Sequence, residues 1–292
     1  MFHVKRIEKL EHFEKCSELE KLIWGSEEPN PTSLLIALQH NGGLLLGAFD
    51  DDENLVGFCL GFTGRKDDQL YFYSHQTGVL PELQNSDMGY QLKMKQRECA
   101  IEMGFNLMKW TFDPLQGLNG NFNLRKLGVI CRTYTPSYYG VMKDKLNAGM
   151  PTDRFTVEWW LKSKRVVNRQ QVKPAYPNLK KILSRGAEFA NETEIFKKGI
   201  RKATKSNLNL NSDLILVEIP ESIRKVKEIS IDLAVEWCEN IKPIFLNYFN
   251  KEYAASDFIS ETIEGERRNF YLLLKNHLLE DELNEVKTYF KR

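Results

Sequence analysis

Residues 80–92 read LPELQNSDMGYQL, a strand end passing into a helix start. The N-terminus of a helix offers main-chain N–H groups outside the helical ladder and about half a positive charge, which suits it to a phosphate or pyrophosphate without any lysine. Such a turn ordinarily takes glycine, because glycine lets the backbone come close and adopt positive φ. Here Asp87 stands in the turn. Aspartate is among the few other residues that tolerate that conformation, so the loop shape survives the replacement. Its charge is the harder matter. Two like charges 4 Å apart repel by roughly 1 kcal/mol in water and about 4 kcal/mol at an interfacial dielectric. A carboxylate turned back to cap its own helix is instead mildly favourable.

The elements that would position this turn follow from periodicity. FHVKRI (2–7) alternates as a strand, and Leu10, Phe13, Cys16, Leu19 and Ile23 mark an amphipathic helix ended by Gly25. NPTSLLIALQHNGG predicts a second helix, with Asn30 as N-cap, Pro31 in the first turn and Gly42 as the stop. Strands are expected at 43–49, 55–62 and 69–80, the first two joined by an Asp/Asn turn into a meander. A long helix over 86–103 carries Met88, Leu92, Cys99 and Met103 on one side. A strand over 107–114 closes at Asp113-Pro114, a short helix over 119–128 ends in glycine, and two strands follow, VICRTYT and DRFTVEWWL.

Residues 161–206 carry thirteen Lys/Arg against three Glu, with Pro174 and Pro177 among them. They read as a basic connector with little regular structure of its own. A last unit then reads as a strand at 212–220, a helix from Glu221 toward Lys242 that Pro243 kinks or ends, strands at 252–260 and 268–275, and a polar helical tail.

Composition narrows the function classes. With 292 residues, 42% hydrophobic and 28% charged, the chain reads as a soluble protein of one large or two ordinary domains. A net charge of +1 favours neither nucleic acid nor an acidic membrane. Cys16, Cys59, Cys99, Cys131 and Cys238 are scattered, which suggests reduced thiols in a cytoplasmic protein and no metal site. The opening MFHVKRIEKLEHFEK lacks the apolar run of a signal peptide, and no stretch is long enough for a membrane span.

The order strand, turn, long helix, strand, Asn-bearing short helix ending in KLG resembles the GNAT superfamily of N-acyltransferases over residues 1–164. The phosphate turn of that superfamily, Gln/Arg-x-x-Gly-x-Gly/Ala, falls on Gln84-Asn85-Ser86-Asp87-Met88-Gly89, with Asp87 in place of the first glycine. The strings WTFDPL, NFNLRKLG and PTDRFTVEWWL further resemble a branch of large GNAT-like proteins with a C-terminal extension. The resemblance implies an α/β mixed-sheet fold with an appended C-terminal α/β unit. The domains would be 1–164, which binds acyl-CoA, a connector at 165–206, and a unit at 207–292 that extends the sheet, forms a degenerate second GNAT half, shapes the acceptor site or makes a dimer contact.

It also implies the chemistry: acetyl-CoA or another acyl-CoA as donor, a small amine as acceptor, and direct attack in a ternary complex without a metal. Gly78, Val79, Leu80, Gln84, Asn85, Ser86, Asp87, Met88, Gly89 and Tyr90 would hold the donor, with Asp87 turned aside. Asn119 and Asn123, four apart on one helical face, would bond the pantetheine arm. An alkylammonium must lose a proton before it attacks, and His75 on the same strand is the expected base. The amide of Val79 would donate to the developing oxyanion. Many members place a tyrosine acid where this chain has Leu124, so Tyr134, Tyr138 or water is left to protonate the thiolate. Asp113, Glu158 and Trp160 are the acceptor candidates. Two other readings stay open: a degenerate, non-catalytic acyl-CoA-binding or interaction protein, favoured by Asp87 and Leu124, and a transferase using aminoacyl-tRNA, favoured only by the basic connector. A charge run without interleaved aromatics argues against nucleic acid.

Overall fold

The computed structural model describes residues 2–25, 28–84, 86–140, 149–171 and 176–283. It is a mixed α/β structure in two compact units, the first spanning Met1–Trp110 and the second spanning Thr111–Met142 with Gly149–Arg292. That division lies inside a strand, whereas the sequence suggests one at 164/165.

In the first unit β1 (His3–Arg6), β2 (Leu44–Phe49), β3 (Leu55–Lys66), β4 (Gln69–Val79) and β5 (Leu107–Phe112) lie side by side in chain order. The first four pair antiparallel, and β5 joins β4 in parallel. Helices α1 (Leu10–Trp24) and α2 (Thr32–His40) cover one face. Phe13, Cys16 and Leu19 from α1, with Leu35 from α2, close over Phe49, Phe58 and Leu60. Gly25 ends α1 in the left-handed region at φ 65, its N–H returning to Lys21 O. The other face takes α3 (Met88–Glu102), which buries Met88, Leu92, Cys99 and Ala100. Asn30 does not cap α2. Pro31 holds the cap position, and Asn30 turns to partners far along the chain.

The second unit begins with the last two residues of β5 and continues through α4 (Gly117–Gly120), a π-helical segment Asn121–Leu127, β6 (Ile130–Thr135) and β7 (Arg154–Trp160). The stretch expected to be structureless holds α5 (Lys164–Gln171), α6 (Leu179–Leu183), β8 (Glu188–Phe189), β9 (Asn191–Ile195) and β10 (Arg201–Ser206). Two of its thirteen basic residues meet carboxylates across the β9–β10 hairpin, Lys202 3.0 Å from Glu194 and Lys205 3.6 Å from Glu192. Then come β11 (Leu214–Ile219), α7 (Ile223–Ile229), α8 (Ile231–Asn250), β12 (Tyr253–Ile263), β13 (Glu266–Lys275) and α9 (Glu280–Leu283).

Pro243 lies inside α8 and does not end it; the helical run breaks earlier, at Ser230, whose hydroxyl caps α8 by accepting Leu233 N–H at 3.2 Å. The polar tail beyond residue 283 lies outside the described residues. Strand order is β7-β6-β12-β13-β11-β8. Within this unit β7 pairs with β6, and β11 pairs with β13, which pairs with β12.

Candidate functional site

The turn after β4 is held from within. Leu80 N–H donates to Val56 O at 3.0 Å, Pro81–Leu83 forms a 3-10 turn, and Gln84 Nε2 reaches Val79 O at 3.5 Å. Ser86 donates back to Leu83 O through both N–H and Oγ. Asp87 then adopts φ 53, ψ −1, the left-handed conformation a glycine would take. Its carboxylate makes no capping hydrogen bond to α3. The first main-chain bond of the helix is Gln91 N–H to Asp87 O at 3.0 Å, so the N–H groups of residues 88–90 precede the helical ladder. Met88 is fully buried and pins the turn, while a Cβ added at Gly89 would meet nothing within 4 Å. Tyr90 is half-buried on the same first turn, and Asn85 lies outside the described residues.

The strand leading to this turn carries a bulge. Gly61 pairs with Ser74 and Leu60 with Gln76, which leaves His75 as the extra residue. Residues 74 and 76 of a regular strand would share a face. Here Ser74 Oγ bonds Gln96 on α3, whereas Gln76 Nε2 lies 3.4 Å from Glu20 on α1. From the bulge onward β4 is in the opposite phase. Gly78 consequently faces α1, and a Cβ there would stand 2.8 Å from both Ile23 and the Trp24 ring, so a larger residue would require those side chains to shift. The parallel ladder to β5 is described at Phe72 and Tyr73, and β4 runs on to Val79. Since Leu80 N–H points to β3, alternation directs Val79 N–H away from it, to the side where β4 has left β5.

His75 sits beside Phe62 and Tyr73, ring centroids 6.0 and 6.3 Å away. Surrounding protein lowers its pKa below the ordinary value, and the Glu20 carboxylate acts the other way. Glu20 is 2% exposed, and Asn30 donates to it through its N–H at 3.0 Å and through Nδ2 at 3.0 and 3.2 Å. Asn30 Nδ2 also reaches Gln76 Oε1 at 2.8 Å, which ties the segment between α1 and α2 to the bulge. On the α3 side of the bulge, Lys93, Ser74 and Gln96 form a buried polar group beneath Trp110. Sequence reasoning passes over Glu20, Asn30, Gln76 and Lys93 as site residues. Glu20 did carry a signal, a carboxylate on the apolar stripe of α1 between Cys16 and Ile23.

The remaining candidates lie in the second unit. Asp113 Oδ1 accepts Leu115 N–H at 2.8 Å, closing the turn after β5, and burial raises its pKa. Tyr134 is 6% exposed and its hydroxyl donates to Asp153 at 2.6 Å. Burial and that carboxylate both raise its pKa, so its proton is committed to Asp153. Asp113 and Asp153 share one electrostatic neighbourhood with Arg154, and Asp113 acts on Tyr134 as well. Tyr138 is exposed.

Asn119 and Asn123 do not share a helical face. Asn119, in the short α-helical turn, is exposed, whereas Asn123, in the π-helical segment, is 4% exposed. Leu124 is fully buried. Glu158 accepts from Arg132 Nη1 at 2.8 Å and from Trp160 Nε1 at 3.0 Å, so these two acceptor candidates are bonded to each other. Among the described residues no group of three or more His, Cys, Asp or Glu could hold a metal ion, and no helix is long and apolar enough to cross a membrane.

No protein-family model matches the chain, and no curated protein sequence matches it. Solved structures do. A putative acetyltransferase, yncA, from Salmonella typhimurium, solved with acetyl-CoA, is 14% identical with a TM-score of 0.46, covering 61% of this chain and 99% of that one. Naa20 of Chaetomium thermophilum, solved with a bisubstrate analogue, is 14% identical with a TM-score of 0.44, covering 59% and 93%. A GCN5-related glucosamine N-acetyltransferase region of a fungal multi-domain β-N-acetylglucosaminidase is 20% identical with a TM-score of 0.34, covering 38% of this chain and 13% of that one. Each of these likenesses has a TM-score below 0.5 and covers only part of this chain.

Proposed function

We propose that the chain is an acyl-CoA-dependent N-acyltransferase, with acetyl-CoA as donor and a small amine as acceptor, acting by direct attack in a ternary complex. One observation carries this reading: a bulged β4 that parts from β5 and feeds, through a left-handed residue, into the N-terminus of α3. Donor phosphates would lie against the N–H groups before the helical ladder, over the open space at Gly89. Val79 N–H would donate to the thioester oxygen as it gains charge, whereas Leu80 N–H is already committed to Val56.

His75 would take the proton of the acceptor ammonium. Its lowered pKa keeps the imidazole neutral at working pH, as a base requires. Gln76 and Asn30, held by Glu20, would line the acceptor side. With Tyr134 committed to Asp153 and Leu124 buried, water protonates the departing thiolate.

A second reading, donor binding without turnover, is favoured by Asp87 and by Leu124. A screen of small amines with acetyl-CoA, followed by thiol release, tests the first reading. Release that depends on an amine and falls in His75→Ala supports it. Tight acetyl-CoA binding with no release for any amine supports the second.

A further inference from the structure

Beneath the β4 bulge, on the α3 side, three buried polar side chains form a closed triangle. Lys93 Nζ donates to Ser74 Oγ at 2.8 Å and to Gln96 Oε1 at 3.1 Å, and Ser74 Oγ donates to the same Gln96 oxygen at 2.8 Å. The ammonium rests 3.8 Å from the centroid of the Trp110 ring, with the Met108 sulfur at 4.0 Å. Lys93 and Ser74 are each 3% exposed, and Gln96 is 0% exposed. One atom is left over: Gln96 Oε1 receives two protons, while Gln96 Nε2 is buried with no acceptor.

That leftover atom gives the triangle two arrangements. An amide turned end over end would offer Nε2–H to Ser74 Oγ or to Lys93 Nζ. A neutral Lys93 has a lone pair to receive that N–H; with the ammonium only Ser74 Oγ could accept it, and the Ser74 proton would then lose Gln96 Oε1 as its acceptor. With the ammonium form the observed orientation avoids setting donor against donor, at the cost of an unpaired Nε2. One proton on Lys93 therefore selects how Ser74 is held. Ser74 is the residue just before the extra residue of the bulge, and the phase of β4 reverses across it.

We infer that Lys93 is a positioning residue for acyl transfer: by holding Ser74 from the α3 side, its ammonium fixes the phase of β4 that delivers His75 and Gln76 to the α1 side. The inference rests on the roles proposed above for His75 and Val79. Burial pushes Lys93 down to about 7, and the face of Trp110 works in the other direction, so the group changes charge close to neutrality. The ionisable group facing it from β3 is the Cys59 thiol, itself pushed up to about 12 by burial and faced by Cys99 of α3. β4 meets it with Ser74, β5 with Met108 and Trp110, and α3 with Gln96, none of which ionises.

The test follows the main-chain amide resonances of His75 and Gln76 in the full chain from pH 5.5 to 9, alongside the Nζ resonance of Lys93. The expected result is an inflection near neutrality shared by Nζ and both amides, separate from the one due to the His75 ring. In Lys93→Met the shared inflection is gone. In Ser74→Ala, which keeps the amine and cuts the link, Nζ still titrates while the amides no longer follow it. If Lys93→Met does not fold, Ser74→Ala alone decides. Amides of wild type that ignore the Nζ titration, or an inflection that persists in Lys93→Met or follows Nζ in Ser74→Ala, overturn the inference. The activity reading fails separately, by absence of acetyl-CoA binding. Where turnover is measured, Lys93→Met lowers kcat by about tenfold with KM little changed, since the residue touches no substrate.

Discussion

Each unit buries a basic side chain beneath a bulged strand, and the two are held in opposite ways. In the second unit one bulge lies at Ala255–Asp257 of β12, and Arg169 bonds Asp257 at 2.7 Å while the buried Arg165 bonds Glu282 at 2.7 Å. An arginine does not deprotonate, and its planar fork is fixed by a carboxylate. In the first unit the buried cation is Lys93, met by a hydroxyl, an amide oxygen and an aromatic face. A lysine in such company exchanges its proton readily. The difference separates scaffold from machinery: charge is locked where the sheet only has to hold, and left able to change beneath the strand proposed to carry the chemistry.

The largest expected effect breaks the locked pair. Arg169→Met leaves Asp257 with 8% of its side chain exposed and without its guanidinium, and should cost about 3–5 kcal/mol in urea unfolding. Lys93→Met should do the opposite at neutral pH. The Lys93 pKa is lowered on folding, so between about 7 and 10 the unfolded chain binds more protons, and wild-type stability rises with pH across that window. In Lys93→Met that rise disappears and the protein is the more stable of the two at pH 7. Equal destabilisation by the two substitutions would remove the distinction between the units.

Next in size is catalysis. His75→Ala should lower turnover by about 10²–10⁴-fold, and the acid limb of the wild-type rate profile, centred below the ordinary histidine value, should vanish with it. Tyr134→Phe sharpens the contrast from the other side. Loss of its bond to the buried Asp153 should cost about 1.5–3 kcal/mol of stability and leave the rate unchanged.

How much of this was legible in the sequence depended on how far each residue's partners lay along the chain. The apolar run LLLGAF and the three- and four-residue spacing in α1 gave the first unit's elements almost as they stand, because those signals are local. The left-handed turn at Asp87 was legible for the same reason. Asn30 looked like a helix cap because a cap needs only three neighbours; its partners Glu20 and Gln76 lie 10 and 46 residues away. The bulge was hidden because YFYSHQTGV reads equally well with or without an extra residue, and only pairing with Leu60 and Gly61 reveals it. The strands within the basic stretch 161–206 are hidden in its composition, because the pairing that sets Lys202 against Glu194 exists only once β9 and β10 form a hairpin. Lys93 and Gln96 stood three apart among Leu92, Cys99 and Ala100 on the buried side of α3, a polar pair on an apolar helix face whose meaning depended on Ser74 across the sheet.

The smallest expected change bears most directly on the central claim, that the turn from β4 into α3 holds the phosphates of an acyl-CoA. Calorimetric titration of wild type and Asp87→Gly with acetyl-CoA tests it. Because Asp87 is exposed and already at φ 53, glycine should keep the loop shape and remove the negative charge. The account predicts micromolar binding by wild type, tightened about tenfold in the glycine variant. Absence of binding by both proteins would contradict it.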